Sequence, residues 1–147
     1  MTNFTAIAVK RYLETRLGEL LNNYGENIIV VYGPAAQDNL AVTLVIGDVE
    51  QLAADHSSFG PRPKIEEEYN VECALLVAQG DGTVKDTDAT AEEVFDVIFE
   101  EVRTNPTLGQ TVHFSRMVPS RIRSAAGVNG GALTLYEFVV NCRRNLA

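Results

Sequence analysis

Lys64–Gln79, KIEEEYNVECALLVAQ, alternates with a period of two along its length. Successive side chains of a strand point to opposite faces of its sheet. Ile65, Glu67, Tyr69, Val71, Cys73, Leu75 and Val77 therefore share one face, and Glu66, Glu68, Asn70 and Glu72 the other. The pattern predicts a long central strand with one dry face. Ala74, Leu76 and Ala78 continue the second face in apolar form, which predicts that this half of the strand is covered on both sides. Glu67 points away from Glu66 and Glu68, so at most two carboxylates converge. Such a one-sided row of acids beside a core strand suits a protein contact better than catalysis.

The charge around this strand is unevenly spread. The net charge is −8 over 147 residues, which argues against a protein that reads nucleic-acid sequence. Met1 to Gly47 carries four acids and three bases, Asp48 to Val102 fifteen acids and three bases, and Arg103 to Ala147 one acid and six arginines. The three segments sum to −1, −12 and +5. Arginine is the only cation of the last segment, and its planar fork suits carboxylates and phosphates. Two arrangements follow: the opposite charges meet inside one domain, or acidic and basic surfaces of neighbouring copies meet head to tail.

Before the central strand, Ile7, Leu13, Leu17, Leu20, Leu21 and Tyr24 recur at three and four residues, predicting an amphipathic helix over Asn3–Asn23 that ends at Gly25. Asn27–Tyr32 and Asn39–Gly47 read as strands, and the short polar link Ala35–Asp38 suits an antiparallel pair. Asp48–Pro63 has no sustained period and contains Gly60, Pro61 and Pro63, which predicts a long loop, the kind that binds something or orders on assembly.

After the central strand, Gly80-Asp81-Gly82-Thr83 reads as a turn. A helix follows, capped by Asp88 or Thr90, with Val94, Phe95, Ile98, Phe99 and Val102 as its stripe and Asn105-Pro106 as its end. Thr111–Arg123 alternates loosely up to Pro119, which implies an edge, a bulge or a kink. Val128-Asn129-Gly130-Gly131 is a hairpin signal, and Ala132–Cys142 is the returning strand, apolar on both faces. The sum is one α+β domain over residues 1–147. It has a mostly antiparallel sheet of four to five strands packed by two main helices, a long loop before the central strand and a C-terminal hairpin. A chain of this length buries roughly 70% of its unfolded surface without disulfides or metal.

Chemistry-bearing motifs are not found. There is no phosphate-binding glycine loop, dinucleotide fingerprint or Gly-x-Ser-x-Gly elbow. His56 and His113 lack neighbours in sequence that would complete a metal site or a triad. Cys73 and Cys142 lie inside predicted strands and read as buried free thiols. No apolar run approaches the ~20 residues that span a bilayer, and the N-terminus does not read as a signal peptide. The expectation is a protein with no catalytic residues, metal or cofactor, working in the cytoplasm or in something assembled there.

The order of features resembles the tail-terminator (tail-completion) proteins of long-tailed bacteriophages. Gly60-Pro61-Arg62-Pro63 runs into Lys64–Val71; a helix follows, then Asn105-Pro106-Thr107-Leu108-Gly109-Gln110-Thr111-Val112 and a hairpin. The likeness spans roughly Asn27 to Asn145, and Gln110 stands where a second Gly is most expected. It implies a structural virion protein, not an enzyme, that assembles in the host cytoplasm and forms a hexameric ring at the head-tail joint. The ring caps the tail tube, ends its polymerisation and meets the head-side connector or stopper, while double-stranded DNA passes unread through its lumen. An acidic lumen would repel phosphates and let DNA slide. Another neck component, a head-side stopper or adaptor, is the alternative; a small binding domain unrelated to phage is a further one.

Within either reading the candidates for the subunit interface or lumen are Glu66, Glu68 and Glu72 with Arg116, Arg121 and Arg123. Candidates for tube or connector contacts are His56, Phe59, Arg62, Asn129, Gly130, Arg143 and Arg144, with the loop Gln51–Pro63 and the tip Ala125–Gly131.

Overall fold

The computed structural model describes residues 5–24, 28–33, 42–57, 64–80, 82–126 and 131–146, with backbone alone for 53–57, 64–66 and 145–146. The elements are α1 (Ala6–Tyr24), β1 (Ile28–Tyr32), β2 (Val42–Ser57), β3 (Lys64–Gln79), α2 (Val84–Thr104), β4 (Phe114–Ala126) and β5 (Ala132–Leu146). The strands form one sheet in the order β1-β2-β3-β5-β4. The architecture is α+β, with both helices on one face of a mostly antiparallel sheet. β3 takes the middle place that its alternation predicts, and Tyr69, Val71, Leu75 and Val77 lie under the helices.

α1 buries Ala6, Val9, Leu13, Leu17 and Leu21. Ile7 and Tyr24, assigned to this stripe from spacing, are instead exposed: Ile7 lies off the row through Val9 and Leu13, and Tyr24 is the last helical residue. Gly25 lies outside the described residues. α2 begins a turn earlier than expected, because Thr83 and Asp86 form a capping box. There the Thr83 hydroxyl accepts from the Asp86 amide while the Asp86 carboxylate accepts from the Thr83 amide, satisfying two otherwise orphaned donors. Asp88 is thereby left to accept from the hydroxyls of Ser124 and Thr134, tying the first turn of α2 to the β4–β5 hairpin. Asn105 ends the helix.

Two expectations about β1 and β2 are corrected. The pair is parallel, Ile28 opposite Val42 and Tyr32 opposite Ile46. Periodicity says nothing of strand direction; that depends on where the segment after Gly33 delivers the chain. The long loop expected over Asp48–Pro63 is strand as far as Ser57, paired with β3 down to Ser57–Lys64. Register shifts at Ile46/Val49 and Gln51/Ala53 explain why no period was visible, since an extra residue in one strand resets which side chains face the core. Residues 58–63, with Phe59 and Arg62, lie outside the described residues.

β4 is an edge strand, and its register slips between Pro119 and Arg121, the site where a residue without an N–H is tolerated. β4 and β5 pair from Phe114–Arg143 to Ala126–Ala132, so the hairpin is present; Asn129 and Gly130 of its turn lie outside the described residues. At Gly131 φ is +81°, and a Cβ would sit 2.6 Å from the Gln79 carbonyl oxygen, so no larger residue fits there.

Candidate interaction surface

The face of the sheet turned away from the helices carries the alternate residues of each strand. On β3 these are Glu68, Asn70, Glu72, Ala74, Leu76 and Ala78. The register places Arg143, Asn141, Val139, Glu137, Leu135 and Leu133 of β5 beside them. On β4, Arg116, Arg121 and Arg123 stand opposite Asn141, Glu137 and Leu135. The acidic and basic candidates thus share one face of one sheet. Its apolar half is not covered on both sides as expected. Ala74, Leu76, Ala78, Leu135 and Val139 are half-buried, and Leu133 is exposed, because among the described residues both helices pack on the other face.

Part of the charge is used within the chain. Arg143 Nε donates to Glu68 Oε2 at 2.7 Å, and Arg123 Nη2 donates to Glu137 Oε1 at 3.1 Å. Asn141 donates to Asn70 at 2.9 Å. Glu72, Arg116 and Arg121 are exposed and form no ion pair among the described residues. Glu66 lies in β3 between Asp55 and Asn145, and His56 opposite Ile65; the side chains of both are outside the description. Arg144 stands opposite Glu67. An open depression of about 460 Å³ crosses the face where Val45, Asp48, Glu72, Ala74, Glu137 and Val139 meet. It offers carboxylates on an apolar floor, a lining suited to a cationic side chain.

Glu67 serves a different purpose. It is fully buried, and the Thr5 amide and hydroxyl both donate to its Oε1, at 3.1 and 2.7 Å. Thr5 is the N-cap of α1, its carbonyl accepting the Val9 amide, so the carboxylate sits where the helix dipole favours negative charge. With the Thr5 proton committed to Glu67, the Tyr69 phenol donates to Thr5 Oγ1 across 2.8 Å. Burial raises the Tyr69 phenol above its ordinary range. The middle glutamate of the run therefore anchors α1.

Sequence reasoning undervalued α2. Asp86, Asp88, Glu92, Glu93, Asp96, Glu100 and Glu101 lie in that helix, seven of the fifteen acids between Asp48 and Val102. Glu101 pairs with Arg16 of α1 and Glu100 with Arg103, whereas Glu92, Glu93 and Asp96 are exposed without ion pairs among the described residues. The helical wheel already contained this signal. The aromatic residues Phe95 and Tyr136 stack beside these acids at 4.3 Å between centroids. Burial, then the charges of Asp96 and Glu92, keeps the Tyr136 phenol above its usual range.

His113 is exposed, and its amide donates to the Arg143 carbonyl at 3.0 Å. Among the described residues no cluster of His, Cys, Asp and Glu has the makings of a metal site, and no helix is long and apolar enough to cross a membrane. Comparison with protein-family models and with curated proteins finds no match.

Proposed function

We propose that this protein is a structural component of a long-tailed bacteriophage virion. Its copies close into a ring that caps the finished tail tube, ends tube polymerisation and presents its other side to the head-side connector. The observation that carries this reading is the turn after α2, where much of the resemblance is concentrated. Leu108, Gly109 and Gln110 have φ of +48°, +67° and +66°, a left-handed run that few sequences sustain. A Cβ at Gly109 would stand 2.8 Å from the Tyr12 ring. The backbone thus favours glycine at positions 109 and 110 of the pattern Asn-Pro-x-Leu-Gly-Gln-x-Val, and the second Gly expected at position 110 corresponds to a residue with positive φ. That gives the short motif more weight than its length alone.

In this role the chain carries out no reaction, and its chemistry is that of contact. On the sheet face turned away from the helices, Glu72, Arg116 and Arg121 are exposed without ion pairs among the described residues and are open to a neighbour or to the lumen. Native mass spectrometry and negative-stain electron microscopy of the purified chain test the reading. A closed ring, six-fold by the resemblance, is expected, and adding it to growing tube protein should halt elongation. A chain that stays monomeric at its highest attainable concentration and leaves tube growth unchanged overturns it. Rings that bind the portal side but not the tube would point to a stopper or adaptor.

A further inference from the structure

β4 stands at one end of the strand order, so among the described residues it pairs with β5 alone. Its first residues alternate. Phe114, Arg116 and Val118 are exposed, while Ser115 and Met117 are buried on the helix side, Ser115 opposite the buried Cys142. Such an edge keeps main-chain donors and acceptors that a further strand can take up. Beside it, in the angle between the end of α2 and the start of β4, lies a cleft of about 270 Å³. Phe99, Val102 and Pro106 form one wall, and Phe114, Ser115 and Met117 the other. The cleft is smaller than the roughly 300–1,000 Å³ of small-molecule sites, and two large apolar side chains stand in water around it, Phe99 at 39% and Phe114 at 49% exposure. One large side chain of a partner suits it better than a whole cofactor.

Two polar features here are unanswered. Ser115 is 3% exposed and its Oγ has no hydrogen-bond partner among the described residues, an arrangement rare for a buried polar group. The second is a charge. Arg103 and Arg116 also line the cleft, and no acid does. Glu100 engages Arg103, and Glu68 engages Arg143 opposite Phe114, whereas Arg116 is exposed and forms no ion pair among the described residues. Other acids of α2 approach the far half of β4: Asp88 accepts from Ser124, and Asp96 and Glu92 act on Tyr136, which stands opposite Ile122. The charge left to answer at the first half of the strand is that of Arg116.

We infer that the first half of β4 takes an added strand from a partner protein, an extended acidic segment whose tyrosine enters the cleft and whose neighbouring carboxylate meets Arg116. Strand alternation sets this pattern. A strand laid beside β4 turns successive side chains to opposite faces, as Ser115 and Arg116 do, so an anchor on the helix side is flanked by residues on the side of Arg116. A carboxylate there makes a favourable cross-strand pair with the guanidinium. Tyrosine joins an apolar body, suited to Phe99, Phe114 and Met117, to a hydroxyl that answers Ser115 Oγ. Main-chain hydrogen bonds to the edge supply affinity for any such segment, and the anchor and the acid supply the choice. The inference goes beyond the ring-forming reading and does not depend on it.

NMR titration of the isotope-labelled chain with the peptide acetyl-Thr-Glu-Tyr-Glu-Thr-amide tests this. Glutamate on both sides of the tyrosine serves either strand direction. Amide shifts centred on Ser115, Arg116, Met117 and Val118 are expected, with binding at least about tenfold weaker when both glutamates are lysine or the tyrosine is alanine, the equivalent of ~1.4 kcal/mol. Arg116→Glu, a change at an exposed position, should reverse the preference between the glutamate and lysine peptides, a gain that a misfolded chain does not show. Phenylalanine in place of the tyrosine should weaken binding to the wild-type chain, and Ser115→Ala should remove that difference; equal binding of the two aromatic peptides to wild type overturns the Ser115 contact. Shifts that are absent at millimolar peptide, that fall elsewhere, or that are equal for the glutamate and lysine peptides overturn the inference. So does a wild-type chain that self-associates through Phe114 and Val118 and leaves the acidic peptide unbound, since that assigns the edge to a second copy. A ring that binds no peptide refutes this inference and leaves the ring reading standing, and a monomer that binds it does the reverse.

Discussion

Glu67 shows how different two neighbouring glutamates of one strand can be. Glu68 meets Arg143 at the surface, a pair of the exposed type that contributes little to stability. Glu67 is buried under α1 and accepts both Thr5 donors. Replacing Thr5 by Val keeps the shape but removes the hydroxyl that links Glu67 to Tyr69. Hydrogen bonds to buried charged groups contribute about 1.5–3 kcal/mol. Thr5→Val should therefore destabilise the fold by about 2 kcal/mol. Urea unfolding followed by circular dichroism reads this as a lower midpoint at unchanged slope. A midpoint equal to wild type would mean that water replaces the hydroxyl without loss.

The connection between α2 and β4 is held by local hydrogen bonds. Leu108 N donates to the Asn105 carbonyl, Thr111 N and Val112 N to the Thr107 carbonyl, and Gln110 N to the Thr107 hydroxyl. Leu108 is fully buried, which pins the turn to the core despite its positive φ. Gln110 has the same backbone demand with an exposed side chain. Glycine meets that demand without steric cost, partly offset by its greater freedom in the unfolded chain. Gln110→Gly should stabilise the protein by about 0.5–1 kcal/mol, raising Tm by roughly 2–4 °C. An unchanged or lowered Tm would show that the glutamine side chain makes a contribution of its own. Gln110→Val should move Tm the opposite way, because a β-branched residue resists positive φ.

Across the whole molecule, the two thiols link stability to pH. Burial, with a smaller contribution from Cys142, pushes Cys73 up to about 12, and burial likewise pushes Cys142 up to about 12, from an ordinary value of 9.0. Both are free and buried. In the unfolded chain each thiol loses its proton near pH 9, whereas in the folded chain it keeps it, so folding binds protons in this range. The stability they contribute is fully present below pH 9 and is lost as pH rises from 9 towards 12. The slope approaches about 1.4 kcal/mol per pH unit for each thiol, with Tyr69 acting in the same direction. Urea midpoints should be level from neutrality to about pH 8.5 and fall above pH 9. Cys142→Val should flatten that fall, and an equal slope in the variant would assign it to other groups.

Helices α1 and α2, the central strand β3, the returning strand β5 and the acidic half of Lys64–Gln79 could be read from periodicity, because side chains two, three or four residues apart report which local face is dry. The direction of β1, the extension of β2 through Ser57 behind two register shifts, and the pairing of Glu68 with Arg143 could not. Nor could the gathering of the exposed Phe114, Val118 and Ile122 along one strand, β4. Glu68 and Arg143 are 75 residues apart in the chain, and no local period relates them. Such contacts depend on strand order and register, which are settled when distant segments meet over a shared core; the local alternation says only which side chains must be there.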